Sequence, residues 1–337
     1  MRPSPPKGRR GAHLFYLPLI GRHPSCKGVL SLAKQSKQTM SRALQRRENI
    51  AGYLFMLPCL LFFIGFVVIP MIICILTSLT DTNMHDPGLI GGSFIGLDNF
   101  VRLWGDKDFL AALKNTFVIV IVSVPTVCAF SLWVSSAIYK MKGPVLSAFR
   151  CIFYLPVVTG SVAVTVVWAW MYNNYYGIFN YILKSLGLIE GRINWLGDEK
   201  YALGCIILIL FTTSVGQPIV LYVSALGNVD TTLIEAAQVD GATEMQVFWK
   251  VKWPQMMPTT LYILVITTIN SFQCFALIQL LTKGGAGTNT VMYRIYWTAF
   301  KLTEQAGHFG YANAMGVVLA IFIGLLSAIQ FKLAKEK

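Results

Sequence analysis

The sequence predicts an all-α integral membrane protein: a bundle of about six transmembrane helices with one short helix on the cytoplasmic side. Three features predict this class: six long apolar stretches, few charged residues, and Lys and Arg concentrated in alternate connecting segments. Only 13% of the residues are charged, whereas 55% are hydrophobic. A soluble domain carries about 25% charged residues because its surface faces water. Much of the surface of this chain therefore faces a bilayer.

Each of the six apolar stretches has the length that a helix needs to cross a bilayer, about 20 residues. They are residues 51–76, 110–139, 148–170, 201–226, 261–281 and 311–331. Four of them contain internal prolines, namely Pro58, Pro70, Pro125, Pro156 and Pro218. Membrane spans tolerate proline because neighbouring helices and Ser or Thr side chains satisfy the freed backbone groups. We therefore expect each stretch to form one spanning helix.

The distribution of Lys and Arg predicts the orientation of the spans. If the N-terminus is cytoplasmic, 19 of the 28 Lys and Arg residues lie in cytoplasmic segments, and the full net charge of +13 lies on that side. Those segments are residues 1–50, 140–150, 227–260 and 332–337. This is the positive-inside pattern rather than a nucleic-acid-binding surface. It predicts a multi-pass membrane protein, in contact with membrane lipid, with both termini in the cytoplasm.

The N-terminal segment, residues 1–50, differs from the rest of the chain. It holds 11 basic residues against one acid, Glu48, with five prolines interspersed. Such a composition cannot bury an apolar core, which predicts a disordered basic extension. Residues 1–39 are interpreted as a dispensable tail or an upstream extension, because Met40 opens a segment that would itself serve as an N-terminus. Residues 51–337 then form the membrane domain.

Residues that could carry catalytic or metal-binding chemistry are scattered. The seven Cys stand singly, mostly in apolar stretches, and the four His lie in tails or predicted external loops. This predicts no catalytic site, metal site or bound cofactor. Residues 284–290 are rich in glycine but lack the lysine of a phosphate-binding loop. A membrane-embedded enzyme is a disfavoured alternative, because it would need a convergent set of His, Asp, Glu or Cys at membrane depth. An ion-coupled carrier is also disfavoured, because neither intramembrane charge nor an internal repeat is evident.

The most informative segment is the predicted cytoplasmic loop 227–258, between the fourth and fifth spans. Thr232 and Glu235 have the spacing of a capping box, which predicts a short helix beginning near Thr232. Gly241 breaks or tightens the chain after it. Two prolines then stop the next helical turn before the fifth span, and these are Pro254 and Pro258. A short helix projecting from a bundle suits docking into a groove of a partner protein; an ordinary solvated loop is the alternative.

This loop resembles the EAA loop of bacterial ABC importer permeases. The first matching residues are Glu235, Ala236, Ala237, Asp240, Gly241 and Ala242. Nine residues separate Gly241 from the second matching group, which is Val251, Lys252, Trp253 and Pro254. Val251 and Trp253 stand where the family has Ile and Leu, and both departures keep an apolar side chain.

The resemblance extends over residues 50–335 and is strongest to permeases of the carbohydrate (maltose and glycerol-phosphate) type. Residues 95–100 (IGLDNF) and 109–117 (FLAALKNTF) are similar to the first external loop and second span of sugar-importer permeases. Residues 270–282 (NSFQCFALIQLLT) are similar to their fifth span. Ala276 stands where many relatives carry an acid, and Lys283 replaces a glycine.

The resemblance implies a fold, partners and roles for particular residues. Such permeases work with a second homologous permease, a cytoplasmic ATPase dimer and an extracytoplasmic solute-binding protein. The residues implied in coupling to the ATPase are Glu235, Ala236, Ala237, Asp240, Gly241 and Ala242. Glu235 would be the anchoring polar contact and Gly241 the turn. The implied cargo is a sugar-type solute, with a peptide, a polyamine or a phosphate compound as the alternative.

Uncharged polar residues within the fourth and fifth spans are candidates for the translocation path. They are Gln217, Asn270 and Gln273, with Phe272 as an aromatic surface beside them. Hydroxyl groups of a sugar pair with amides, and its ring stacks on aromatic faces. The alternative is that these residues form hydrogen bonds between helices.

Overall fold

The structure, a computed structural model, describes residues 25–86, 91–141, 143–300 and 307–335. The chain divides into two units, residues 1–69 and 70–337. Within the described ranges the regular structure is helical, apart from two isolated β-bridges. The all-α prediction is therefore confirmed.

The first unit holds helix α1 (Ser25–Phe63) and a π-helical turn (Ile64–Val68). Helix α2 (Ile69–Thr77) follows, and the helical stretch Leu44–Thr77 is long and apolar enough to span a membrane. Its side chains are largely exposed, Phe55 by 86%. Residues 1–24 of the predicted disordered extension lie outside the described residues. From Ser25 onward the structure has a helix where composition predicts disorder.

The second unit contains the remaining helices. They are α3 (Asp98–Gly105), α4 (Lys107–Ile138), α5 (Pro144–Val158), α6 (Ser161–Met171), α7 (Ile178–Ser185), α8 (Glu199–Ser214), α9 (Gly216–Gly227), α10 (Thr231–Val239), α11 (Glu244–Val247), α12 (Trp253–Phe272), α13 (Ala276–Leu281), α14 (Val291–Phe300) and α15 (Phe309–Lys335). A second π-helical turn, Phe248–Lys252, joins α11 to α12. Three of these helices, α3, α7 and α14, lie in segments that the sequence predicts to be external loops.

The described chain has four helices or helical runs that are long and apolar enough to cross a membrane, and six spans if two bent pairs each count as one. The four are Leu44–Thr77, Lys107–Ile138, Glu244–Leu281 and Phe309–Leu333. The bent pairs are α5 with α6 and α8 with α9. The predicted number of spans is thus confirmed, but the prediction that each span is one uninterrupted helix is wrong for the third and fourth.

The third span bends by 94° between α5 and α6, and the fourth by 42° between α8 and α9. Gly160 joins the first pair with φ of +85°, a conformation that costs a glycine little. Pro156 and Pro218 each lack the N–H that would bond one turn back. Together these residues loosen the helical ladder next to each bend.

The fifth span also departs from prediction. Its helix α12 begins at Trp253, with Pro254 in its first turn and Pro258 inside it, so these prolines do not stop the helix. Pro254 fits because the first-turn N–H groups of a helix have no partner within the helix. The span is interrupted further on, at residues 273–275, before α13 begins.

Helix α4 is central to the second unit. Its buried side chains contribute to three separate apolar clusters, through Val120, Ile119 and Val127. Two serines of α4 also donate to carbonyls at the α8–α9 bend: Ser131 Oγ to that of Val215, between the two helices, at 3.3 Å, and Ser135 Oγ to that of Ile219 in α9 at 3.0 Å. These bonds satisfy backbone groups beside the bend, as expected for a broken span inside a bundle.

The opposite end of α4 is tied to α14 and α15 by charged and polar groups. Asp106 caps α4, accepts a hydrogen bond from Tyr311 at 2.8 Å and lies 3.6 Å from Arg294. Arg294 also lies 3.1 Å from Asp108. Burial alone would raise the pKa of Asp106, but the hydrogen bonds from Tyr311 and the Phe109 amide and the charge of Arg294 outweigh it and lower that pKa.

Candidate functional site

The first candidate site is the loop that carries α10. Asp230 caps this helix: its Oδ1 accepts from the Thr232 amide at 2.9 Å and from the Thr232 hydroxyl at 2.7 Å. These bonds lower the pKa of Asp230. The predicted capping box of Thr232 with Glu235 is therefore wrong, because Asp230 occupies the cap position and helix α10 begins at Thr231.

A true capping box lies one helix later. Thr243 Oγ1 accepts from the Gln246 amide at 3.3 Å, and Gln246 Oε1 accepts from the Thr243 amide at 2.9 Å. The sequence signal was present, since Thr and Gln stand three residues apart here. This box begins α11 and sets the direction of the chain into the π-helical turn.

Gly241 ends α10 in a Schellman motif. The Ala242 amide donates to the Ala237 carbonyl at 2.9 Å, and the Gly241 amide donates to that of Gln238 at 3.0 Å. Gly241 has φ of +79°, the left-handed conformation that this motif requires at that position. A Cβ atom at Gly241 would meet no atom of this chain within 4 Å. Within the chain, glycine is therefore needed for its backbone conformation rather than for space.

The surface of α10 is uncovered. No residue of the helix is buried, and the side chains of Glu235, Ala236 and Asp240 are exposed, whereas Ala237 and Ala242 are partly buried. Apolar side chains are exposed beside them, Leu233 by 50% and Val239 by 87%. The exposed side of α10 therefore presents both polar and apolar side chains.

The loop is anchored to the bundle on its other side. Ile234 and Phe248 pack against a buried cluster formed by Leu226, Val229 and Met256. The amide of Asp230 also donates to Gln255 Oε1 at 3.2 Å. Helix α10 is thus a short projecting element on a fixed base.

The second candidate site is a groove at the breaks of the spans. Two adjoining cavities of about 130 and 280 Å³ share Val157, Thr213 and Asn270 in their walls. Residues from all three interrupted spans line them, and the polar ones are Ser161, Thr213, Ser214, Gln217, Tyr262, Thr267, Asn270 and Gln273. Cys274 and Phe275, at the interruption of the fifth span, also line the larger cavity.

Three of the four predicted pathway residues lie in this groove. Gln217, Asn270 and Gln273 are all exposed and line one or other cavity. Phe272 lines neither cavity, so its assignment to the translocation path is wrong. Its side chain is completely buried and packs edge-to-face on Phe117 at 5.6 Å between ring centroids. Positions two apart on a helix point in different directions, so Phe272 cannot share the face of Asn270.

Sequence reasoning missed the contribution of the third span to the groove. Pro156 and Ser161 line the larger cavity on either side of the bend at Gly160. A proline followed by a glycine four residues later in an apolar stretch was a usable signal for this break. No group of three or more His, Cys, Asp or Glu side chains that could hold a metal occurs in the part of the chain that the structure describes.

Comparison with known proteins identifies the family. The model of binding-protein-dependent transport system inner membrane components matches residues 49–335. The chain belongs to this family. Among its relatives, a probable ABC transporter permease, YesP of Bacillus subtilis, is 33% identical over 85% of this chain and 91% of YesP. The chain described here is thus an ABC transporter permease and a multi-pass membrane protein.

Several relatives of the permease are named for sugars. The lactose transport system permease LacF of Rhizobium radiobacter is 29% identical, over 89% of this chain and 99% of LacF. The arabinooligosaccharides permease AraP of Bacillus subtilis is 29% identical, over 89% and 93% of the two chains. A crystal structure of a bacterial ABC transporter that imports alginate has the same fold, with a TM-score of 0.72, 23% identity, and coverage of 86% of this chain and 96% of that one.

Proposed function

We propose that the permease forms one half of the path by which a sugar-type solute crosses a bacterial inner membrane. An external binding protein delivers the solute, a second homologous permease completes the path, and a separate cytoplasmic ATPase dimer drives the cycle. The observation that carries this proposal is the groove, where exposed amide and hydroxyl side chains meet the breaks of three spans.

Exposed amides in the middle of spans need a polar environment. An unsatisfied polar group in hydrocarbon costs several kcal/mol, so a face with Gln217, Asn270 and Gln273 does not suit contact with lipid tails. Interrupted backbone at membrane depth is tolerated where it lines a water-filled cavity or is buried in protein, and broken helices commonly form transport sites. The face therefore suits a solute path closed by another subunit.

The chemistry of the groove favours a neutral, hydroxyl-rich solute. Its lining residues are amides, hydroxyls and apolar side chains, with Tyr262 and Phe275 as aromatic surfaces, and none of them is charged. A polyamine or a phosphate compound would require a compensating charge. Lactose and arabino-oligosaccharide relatives point the same way.

The exposed face of α10 suits the ATPase contact. Glu235 and Asp240 supply polar contacts, Ala236 allows close approach, and Leu233 adds apolar area. The excess of Lys and Arg on the same side of the membrane as this loop supports a cytoplasmic position for α10 and for both termini.

Uptake by cells that express the complete importer tests the groove assignment. Gln217→Leu and Asn270→Leu are compared with Thr126→Val, a matched control because Thr126 is an exposed polar residue of α4 outside the groove. Radiolabelled lactose, an arabino-oligosaccharide, a dipeptide and a polyamine serve as probes. We expect uptake of a saccharide, and its loss in both groove variants at unchanged membrane levels.

Two results would overturn the proposal. Uptake of the dipeptide or polyamine in place of every saccharide would refute the sugar assignment. Full saccharide uptake by both Leu variants would refute the role of the groove.

A further inference from the structure

The π-helical turn between α11 and α12 ends at a buried lysine. Lys252 is 6% exposed, its Nζ donates to the Tyr139 hydroxyl at 2.9 Å, and the same nitrogen lies 5.3 Å from the centre of the Tyr139 ring. Lysine is rarely buried unless it is paired with an acid. Among the described residues, no carboxylate forms an ion pair with Lys252. Burying a charged ammonium group whose partner among the described residues is a phenol costs free energy, so this arrangement needs an explanation other than packing.

Tyr139 connects two apolar clusters that have different neighbours. On one side it packs against the cluster that includes Ile234 of α10 and Phe248 of the π-helical turn. On the other side it packs against the cluster that includes Val215 and Ile219, at the α8–α9 bend. Ser214 of the groove directly precedes Val215. A continuous path of contacts therefore runs from the coupling loop through Tyr139 to the groove.

Other links between this loop and the end of α4 are weaker. Lys140 and Glu244 approach to 3.9 Å, but their side chains are 65% and 75% exposed, and exposed ion pairs of this kind contribute little. Lys252 also stands at the end of a π-helical turn, a rare element that often marks functional positions. Its bond to Tyr139 is buried and charge-assisted, which makes it the stronger link.

We propose that Lys252 and Tyr139 form a strut that transmits displacement of α10 to α4 and the α8–α9 bend, and so opens or closes the groove. Both are positioning residues that act at a distance from the solute. The inference rests on the proposed function, in which α10 docks on the ATPase. Removing the strut then uncouples the groove from the nucleotide while leaving α10 docked.

Labelling of a groove cysteine tests the strut in the purified complex of both permeases and the ATPase. Ser214→Cys is introduced after all seven native cysteines have been replaced by serine or alanine, because Cys274 itself lines the larger cavity of the groove. A hydrophilic maleimide is applied without nucleotide and after trapping with ATP and vanadate. With the strut intact, we expect the labelling rate to change by at least about fivefold between the two states, the factor by which a shift of about 1 kcal/mol alters the ratio of open to closed grooves.

Lys252→Met keeps the length of the stem, and Tyr139→Phe removes one oxygen atom. Each variant is expected to reduce the change in labelling to less than about twofold, and the double variant to equal the single ones, since both break one interaction. ATP hydrolysis is expected to continue at an undiminished rate. Lys250→Met is the matched control, because Lys250 is exposed on the same turn, and it should retain the full change.

The outcomes separate the strut from the proposed function. A full nucleotide-dependent change in both strut variants would overturn the strut and leave the importer proposal intact. No change in the parent complex, with α10 bound to an active ATPase, would refute the coupled groove and the strut together. If Lys252→Met fails to assemble, Tyr139→Phe decides the question.

Discussion

The conformation of Gly241 gives the sharpest prediction about α10. Substitution by Ala places a side chain at a residue with φ of +79°, which costs about 1–2 kcal/mol for an L-residue in the left-handed region. A cost of that size lowers the population of the capped turn by a factor of about 5–30. No steric penalty within the chain adds to it, because a Cβ atom there has no neighbour within 4 Å.

A series of substitutions separates conformation from space. Asn visits the left-handed region far more readily than Ala, and β-branched residues visit it least. We therefore expect ATP-driven uptake to fall in the order Gly, Asn, Ala, Val, with Asn close to the parent. The assay is initial-rate uptake, normalised to the amount of permease in the membrane.

The matched control is Gly227→Ala. Gly227 ends α9 near the same loop, lacks a positive φ and has free space around it, so uptake should be unchanged. If Gly241→Asn is as inactive as Gly241→Val at normal membrane levels, the conformational explanation is refuted. The partner's surface would then exclude any side chain at this position.

Three further predictions follow from the contacts of the helices. In Gly216→Val the new side chain would collide with the Phe153 carbonyl of α5. Overpacking of this kind costs about 1–3 kcal/mol, so the unfolding temperature in detergent should fall. The control is Gly204→Ala, which has open space around it and should leave the unfolding temperature unchanged. Asp230→Ala removes the cap of α10 and should reduce uptake. Asp230→Asn retains an acceptor for the Thr232 amide and should preserve uptake. An equal loss of uptake in both variants would contradict the capping role. The pKa of Asp106 is lowered in the folded protein. The contribution of Asp106 to stability is therefore complete above the ordinary Asp pKa of about 4 and is lost as the pH falls through the lower folded-state pKa. In Asp106→Asn, thermal stability should be reduced at neutral pH and should match the parent at strongly acidic pH.

The spans were predictable because the length of an apolar stretch is set by the thickness of the bilayer. The breaks were harder to predict, since proline and glycine are common in spans that remain helical. Pro156 accompanies a bend of 94°, whereas Pro125 lies inside the continuous α4, so a proline alone does not predict a break. The two differ in sequence in that Gly160 follows Pro156 by four residues, whereas Ala129 follows Pro125.

The candidate site residues, like the spans, were predicted correctly in part. Gly241 was identified as a turn from its residue type, and its positive φ agrees. Asn270 and Gln273 are three apart and share one face of a helix, which is why both reach the groove. Phe272 was chosen for its chemistry against that periodicity, and it faces the core. The cap of α10 was misassigned because Asp230 and Thr232 both have side chains that can cap a helix.

Cross-linking from α10 in the assembled complex tests the central claim most directly. Glu235→Cys, treated with a short bifunctional maleimide in inside-out vesicles, is predicted to form a covalent product with a cysteine introduced in the cleft of the ATPase subunit. The yield is predicted to persist through the nucleotide cycle. Absence of the product while both subunits remain bound, or reaction of Glu235→Cys with a membrane-impermeant reagent added to intact cells, would contradict the account.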